Sequence, residues 1–224
     1  MIRNFKRTAA IFGIVAATST ALVACSESNE SDSADGGSDS VEVSGDLSGE
    51  GASSQKSAMS VFEKAFLNEY PDANFSYTSS GSGAGVKAFN GGTVDFAGSD
   101  SALKEDKGEV EAAKERCDGN DAWHLPTTIG PVAIAYNLGD TEVNLSTDTL
   151  AKIFKGEITK WNDDAIKAEN EGTDLPDKNI TVIFRSDESG TSDNFQKFLT
   201  AATGNWDSEG KQFPAAVGEG ANGS

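Results

Sequence analysis

Three short Ser/Gly clusters carry the residues with the most chemistry to offer. The first is Ser48-Gly49-Glu50-Gly51-Ala52-Ser53-Ser54 and the second is Ser80-Gly81-Ser82-Gly83-Ala84-Gly85. The third is Arg185-Ser186-Asp187-Glu188-Ser189-Gly190-Thr191. Each cluster leads into a stripe of apolar residues at helical spacing. A glycine-containing turn at such a junction points backbone N–H groups outward at a helix N-terminus, where the dipole favours negative charge. Glycine lets the backbone approach a ligand closely, and Ser and Thr hydroxyls add donors. Any one of these turns is equally an ordinary cap, since Ser and Gly serve there routinely. Three in one chain, one of them carrying the guanidinium of Arg185, point to a bound oxyanion. The other anion motifs do not fit: there is no GxxxxGK[ST] loop, and no GxGxxG followed by a convincing acidic ribose anchor.

The elements that must position these turns follow from periodicity. Val41-Glu42-Val43 alternates and predicts a strand ahead of the first cluster. Ala58, Met59, Phe62, Ala65, Phe66 and Tyr70 then recur at helical spacing until Pro71 stops the helix. Residues 74–79, with Phe75 and Tyr77 on one face, predict a second strand, and residues 86–89 a short helix ended by Gly91-Gly92. Residues 94–100 predict a short strand ending in polar residues, Asp100 last. Residues 132–138 read as a buried strand, and residues 180–184 as a β-rich run before the third cluster. Phe195, Phe198, Leu199 and Ala202 form the final helical stripe, after which residues 204–224 are loop-like.

Charge and composition narrow the function. The chain has 224 residues, 36 acidic against 18 basic, for a formal charge of −18. That balance excludes a nucleic-acid binder, which needs excess Lys and Arg against phosphates. A single histidine, His124, excludes most multi-His metal sites. A phosphate-ester hydrolase is the rival enzyme reading, against which stand that lone histidine and the lack of HExxH, of a GxSxG elbow and of a carboxylate-rich metal cluster. No metal and no cofactor is expected. His124, between Trp123 and Leu125, reads as a packed or capping side chain, and Trp161 and Trp206 read as packing. Lys87 reads as a solvated helix residue rather than an anion clamp, and Asp118-Gly119-Asn120-Asp121 as a turn lacking calcium-loop spacing. Cys117 is an unpaired thiol in a chain that reads as exported.

The N-terminus reads as an address. Arg3, Lys6 and Arg7 precede an apolar run from Ala9 to Ala24, the pattern of a secretory signal over residues 1–24. The run ends Leu22-Val23-Ala24-Cys25, which resembles the lipobox of bacterial lipoproteins and implies lipidation of Cys25. Removing residues 1–24 takes three cations away, moving the formal charge from −18 to −21. Eleven of the fifteen residues 26–40 are Ser, Asp or Glu, so residues 25–40 are expected to be a disordered tether. Such a protein would sit exported and lipid-anchored on the outer face of the cell membrane.

Gly81-Ser82-Gly83-Ala84-Gly85-Val86-Lys87, Thr93-Val94-Asp95-Phe96-Ala97-Gly98-Ser99-Asp100 and the third cluster together resemble the PstS family, the phosphate-binding lipoproteins of phosphate ABC importers. Residues 150–162, LAKIFKGEITKWN, are similar to a stretch of that family's second lobe. The resemblance implies an α/β, two-lobed periplasmic-binding-protein (type 2) fold, here incomplete at the C-terminus. Lobe one would be residues 41–125, missing its C-terminal return segment, and lobe two residues 126–224, also incomplete. It implies a monomeric receptor for inorganic phosphate that serves the permease subunits of the importer and is not an enzyme. Carried over residue by residue, the phosphate site is Ser53, Ser54, Ser82, Asp100, Arg185, Ser189, Gly190 and Thr191. At position 54 some relatives carry Phe, so the main-chain N–H transfers more securely than the hydroxyl. The other rival reading is a surface lipoprotein, an adhesin or antigen whose anion loops are vestigial.

Overall fold

The computed structural model describes residues 42–214 and 219–221. The putting together of its first sheet begins with β1 (Gly45–Gly51), α1 (Lys56–Glu69) and β2 (Ala73–Ser79). These are followed by α2 (Ser82–Asn90) and β3 (Phe96–Gly98). The three strands are parallel in the order β2-β1-β3. Parallel neighbours need crossover connections, which α1 and α2 supply. Because β1 is central, the chain leaves it first to one side and then to the other. The C-terminal ends of all three strands therefore open at one place, the position where open α/β sheets hold ligands.

Glycine makes this sheet close-packed. A side chain at Gly49 would run into the Phe96 ring, and one at Gly51 into the carbonyl oxygen of Gly98. Phe96 in turn lies over Tyr77, with ring centroids 6.1 Å apart, and Phe75 meets Phe66 of α1 at 6.0 Å. The helix stops as the sequence predicts, the Tyr70 N–H closing on the Phe66 carbonyl at 2.8 Å just before Pro71.

After α3 (Glu109–Arg116) come α4 (Thr147–Lys155), α5 (Asp164–Glu169), β4 (Ile183–Arg185) and α6 (Gly190–Thr203). β5 (Glu219–Ala221) pairs parallel with β4. Their core has two clusters. Leu138, Ile153, Ile158, Trp161, Ile166, Leu175 and Val182 form one; Ala151, Phe195, Leu199, Trp206 and Phe213 form the other. Trp161 and Trp206 are core residues, as their sequence context implies. The Ser146 hydroxyl accepts from the Thr149 N–H to cap α4, and Gly156 ends it in the left-handed conformation.

Several local expectations need correcting. Residues 42–44 are not a strand; β1 begins at Gly45 and runs through the glycine cluster itself. Helix α2 begins at Ser82 rather than near residue 86, inside the second cluster. Residues 132–138 form no strand: Val132, Ile134 and Tyr136 are exposed and only Leu138 is buried. Their apolar alternation suits a sheet, yet no described strand runs beside them to accept their backbone hydrogen bonds. His124 is exposed rather than packed. Residues 204–224 are not all loop, since β5 lies among them. The leader, Cys25 and the tether lie outside the described residues.

Asp193, fully buried in α6, accepts from Lys104 Nζ at 2.8 Å and pairs with Lys197 Nζ at 2.7 Å. Burial pushes its pKa up, but the two lysines outweigh burial and hold it below the ordinary aspartate value. A depressed native pKa stabilises the fold above the unfolded-state value, and that stability is lost as pH falls through the native one. The thermal midpoint is therefore expected to fall on acidification below the ordinary carboxylate range. Asp193→Asn should lower stability at pH 7 and flatten that acid limb, as thermal melts across pH would record. An acid limb as steep in the variant as in the parent would contradict the assignment.

Candidate functional site

The loops after β1, β2 and β3 meet the N-terminus of α6 around Asp100. Its carboxylate accepts from the Ser54 hydroxyl at 2.6 Å on Oδ1 and from the Thr191 hydroxyl at 2.9 Å on Oδ2. Its backbone N–H donates to Ser82 Oγ at 3.2 Å, and its carbonyl accepts from Asn194 Nδ2 at 2.7 Å. Ser82 is 1% exposed and stands at the first position of α2, so its hydroxyl is fixed by packing. Gly190, first residue of α6, crosses directly over this point. A Cβ there would lie 2.6 Å from Ser82 Oγ and 2.9 Å from the Asp100 Cβ, so any larger residue drives the two loops apart.

Arg185 ends β4 and is half-buried. Its Nε donates to Asp187 Oδ1 at 2.6 Å, and its Nη2 donates to Oδ2 of the same carboxylate. The pair holds the guanidinium plane against the second cluster: a Cβ on Gly81 would come 2.5 Å from Asp187 Oδ2 and 3.6 Å from Arg185 Nη2. A guanidinium has five N–H donors, so this fork does not exhaust it. Gly81, at φ 99°, takes a conformation that side chains disfavour and lets the loop turn into α2.

Ser189 is 1% exposed and caps α6, its hydroxyl oxygen accepting from the Ser192 N–H. Its own O–H hydrogen remains to donate. Ser53 opens the short turn Ser53–Gln55 between β1 and α1 and is half-buried. Of the eight residues expected to share a site, the structure brings Ser54, Ser82, Asp100, Gly190 and Thr191 into direct contact or close approach. Arg185 stands beside them through Gly81, while Ser53 and Ser189 lie on the same turns. Lys87 is largely exposed and pairs with Glu188 at 2.8 Å.

Two neighbours were missed by reading the sequence. Asn194 reaches the Asp100 carbonyl; its only signal was its place one helical turn after Gly190. Tyr77 donates to the Ala52 carbonyl at 2.9 Å, immediately before Ser53. Burial, with the charges of Asp100 and Glu50, pushes its phenol up to about 12, so it stays a protonated donor at neutral pH. What results is a ring of hydroxyls and two helix N-termini around one carboxylate, with a guanidinium alongside. This set can donate to several oxygens of a small oxyanion and accept one proton from it.

Residues 29–223 match the family model of a PBP superfamily domain. The chain is 46% identical to "Phosphate-binding protein PstS2" of Mycobacterium bovis across 99% of its own length and 61% of that protein's. It is 35% identical to "Phosphate-binding protein PstS" of Xylella fastidiosa across 77% of its length and 47% of that protein's. It thus spans about three-fifths of the mycobacterial relative. Among solved structures it superposes, with TM-score 0.54 and 20% identity, on a candidate phosphate ABC transporter substrate-binding protein with bound phosphate from Clostridium perfringens. That match covers 80% of this chain and 63% of that one, and supports the fold expected from the sequence.

Proposed function

We propose that this chain, which belongs to the PBP superfamily, is the receptor part of a phosphate importer: it binds inorganic phosphate and hands it to ABC permease subunits without changing it chemically. The observation that carries the reading is the convergence on Asp100 of Ser54, Ser82 and Thr191, drawn from loops 46, 18 and 91 residues away. The names of its relatives, phosphate-binding proteins at 46% and 35% identity, support the same ligand. In this reading residues 41–125 and 126–224 belong to the two lobes and the anion lies between them. Ser82 and Ser189 give hydroxyls, Ser53, Ser54, Gly190 and Thr191 give backbone N–H groups, and Arg185 gives the cation; the Ser54 and Thr191 hydroxyls hold Asp100, which takes the phosphate proton.

Titration calorimetry of the full chain with phosphate and with sulfate tests the reading. Saturable phosphate binding with sulfate excluded is the expected result. No heat with either anion would overturn it and favour a surface adhesin or antigen. Release of phosphate from a model ester would favour the hydrolase.

The reading places the protein outside the cell, held to the membrane by lipid on Cys25. Cys25→Ser is expected to release it into the medium or to leave the leader uncleaved. Fractionation that finds the variant processed and membrane-bound like the parent would refute the anchor.

A further inference from the structure

Outside the ring of hydroxyls, a second set of charges ties residues 83–109 to residues 188–211. Lys211 Nζ donates to Glu109 Oε1 at 2.7 Å, and both groups are largely buried. The other oxygen of Glu109 accepts from the Lys104 N–H at 2.9 Å. Lys104 Nζ reaches Asp193 Oδ1 at 2.8 Å, and Lys197 holds the remaining oxygen. The chain closes at its other end, where the Ser189 N–H donates to the Lys211 carbonyl at 2.9 Å. Alongside, the Gly83 N–H donates to the Glu188 carbonyl at 2.9 Å. The network therefore begins and ends on the first turn of α6, at Ser189 and Asp193, and passes through Lys104, ahead of α3, and Glu109, the first residue of α3.

We propose that Lys104–Asp193 and Glu109–Lys211 form a clamp that seats the N-terminal turn of α6 against the β2–α2 and β3–α3 loops, so that Lys104, Glu109, Asp193 and Lys211 are positioning residues for the anion site. The chemistry favours this role over simple surface pairing. Exposed ion pairs contribute little, whereas pairs this far from solvent hold one geometry because a lone charge left behind is costly. The protein is strongly acidic, with 18 basic residues against 36 acidic ones, yet it commits two of its cations to buried places on this seam. Each pair stabilises the arrangement that binds, so its loss lowers the fraction of molecules competent to bind. The consequence for phosphate rests on the function proposed above; the clamp itself does not.

Hydrogen exchange in the full chain tests the clamp. The Gly83 amide crosses the seam and reports its opening, while the amides of β1, the central strand paired on both sides, report on the fold as a whole. Lys211→Met and Glu109→Gln should each lower Gly83 protection about tenfold relative to the β1 amides, and the double variant should lower it little further, since the residues act as one unit. Lys211→Arg should keep most of the protection. Unchanged Gly83 exchange in the single variants, or fully additive losses in the double, would overturn the proposal. Should Lys211→Met lose β1 protection as well, the comparison of Lys211→Arg with Glu109→Gln decides in its place. Phosphate titration of the same variants should show the dissociation constant rising by the same factor. If the parent binds no phosphate, the function proposed above fails, while the Gly83 measurement still decides the clamp.

Discussion

Replacing Arg185 with alanine is expected to weaken phosphate binding by about 2–4 kcal/mol, the scale for removing one partner of a buried charged hydrogen bond. The guanidinium is the cation of the three loops, held in place by the fork to Asp187. Without it, the loops offer a dianion hydroxyls and N–H groups but also the carboxylates of Asp100 and Asp187. Short-range attraction then has to overcome both the local repulsion and the field of an acidic protein. Arg185→Lys keeps the charge and loses the planar fork, so it should fall between parent and alanine variant. Calorimetric titration measures all three. An unchanged dissociation constant in Arg185→Ala would remove this residue from the site.

The anion loops were legible because their chemistry is local. Ser and Gly before a helical stripe mean a turn with outward N–H groups, and α1 and α6 both follow such turns. Helices with a clear apolar stripe, a stop at Pro71 or a cap at Ser189 could be read directly. β1 could not, because its sequence, GDLSGEG, shows little hydrophobic alternation. Its packing face is built from absence: Gly49 makes room for the Phe96 ring, and Gly51 for the backbone of Gly98. Hydropathy cannot report a strand whose inward residues are glycine. The opposite error occurred at residues 132–138, where alternation is strong but no described strand lies alongside. The links to Asp100 were out of reach for a different reason. They join residues 46 and 91 positions apart, and only the tertiary arrangement decides which hydroxyl meets which carboxylate oxygen. Asp187 was visible in the motif, but its fork with Arg185 was not, since spacing alone does not say whether the two side chains turn towards each other.

Asp100 is where phosphate and sulfate should be told apart, and Asp100→Asn is expected to narrow the gap between them, chiefly by admitting sulfate. Ionised aspartate only accepts hydrogen bonds. Two of its acceptor positions are filled by Ser54 and Thr191, which fix the carboxylate in place and leave other lone pairs for the ligand. Hydrogen phosphate has a proton to give to one of them. Sulfate at neutral pH has none, so its oxygen would face an acceptor with nothing between, which is costly in a site screened from water. Asparagine replaces one acceptor oxygen with an N–H₂ donor that sulfate can use. Ser54 and Thr191 can adjust, since a hydroxyl both donates and accepts. Relief of the unpaired contact should improve sulfate binding by about 1–3 kcal/mol, while phosphate loses its proton acceptor and weakens. Competition titrations of phosphate against sulfate, in parent and variant at the same pH, read both changes. If sulfate stays as fully excluded from Asp100→Asn as from the parent, selectivity does not come from a proton accepted by Asp100 and must be sought in the shape of the closed site.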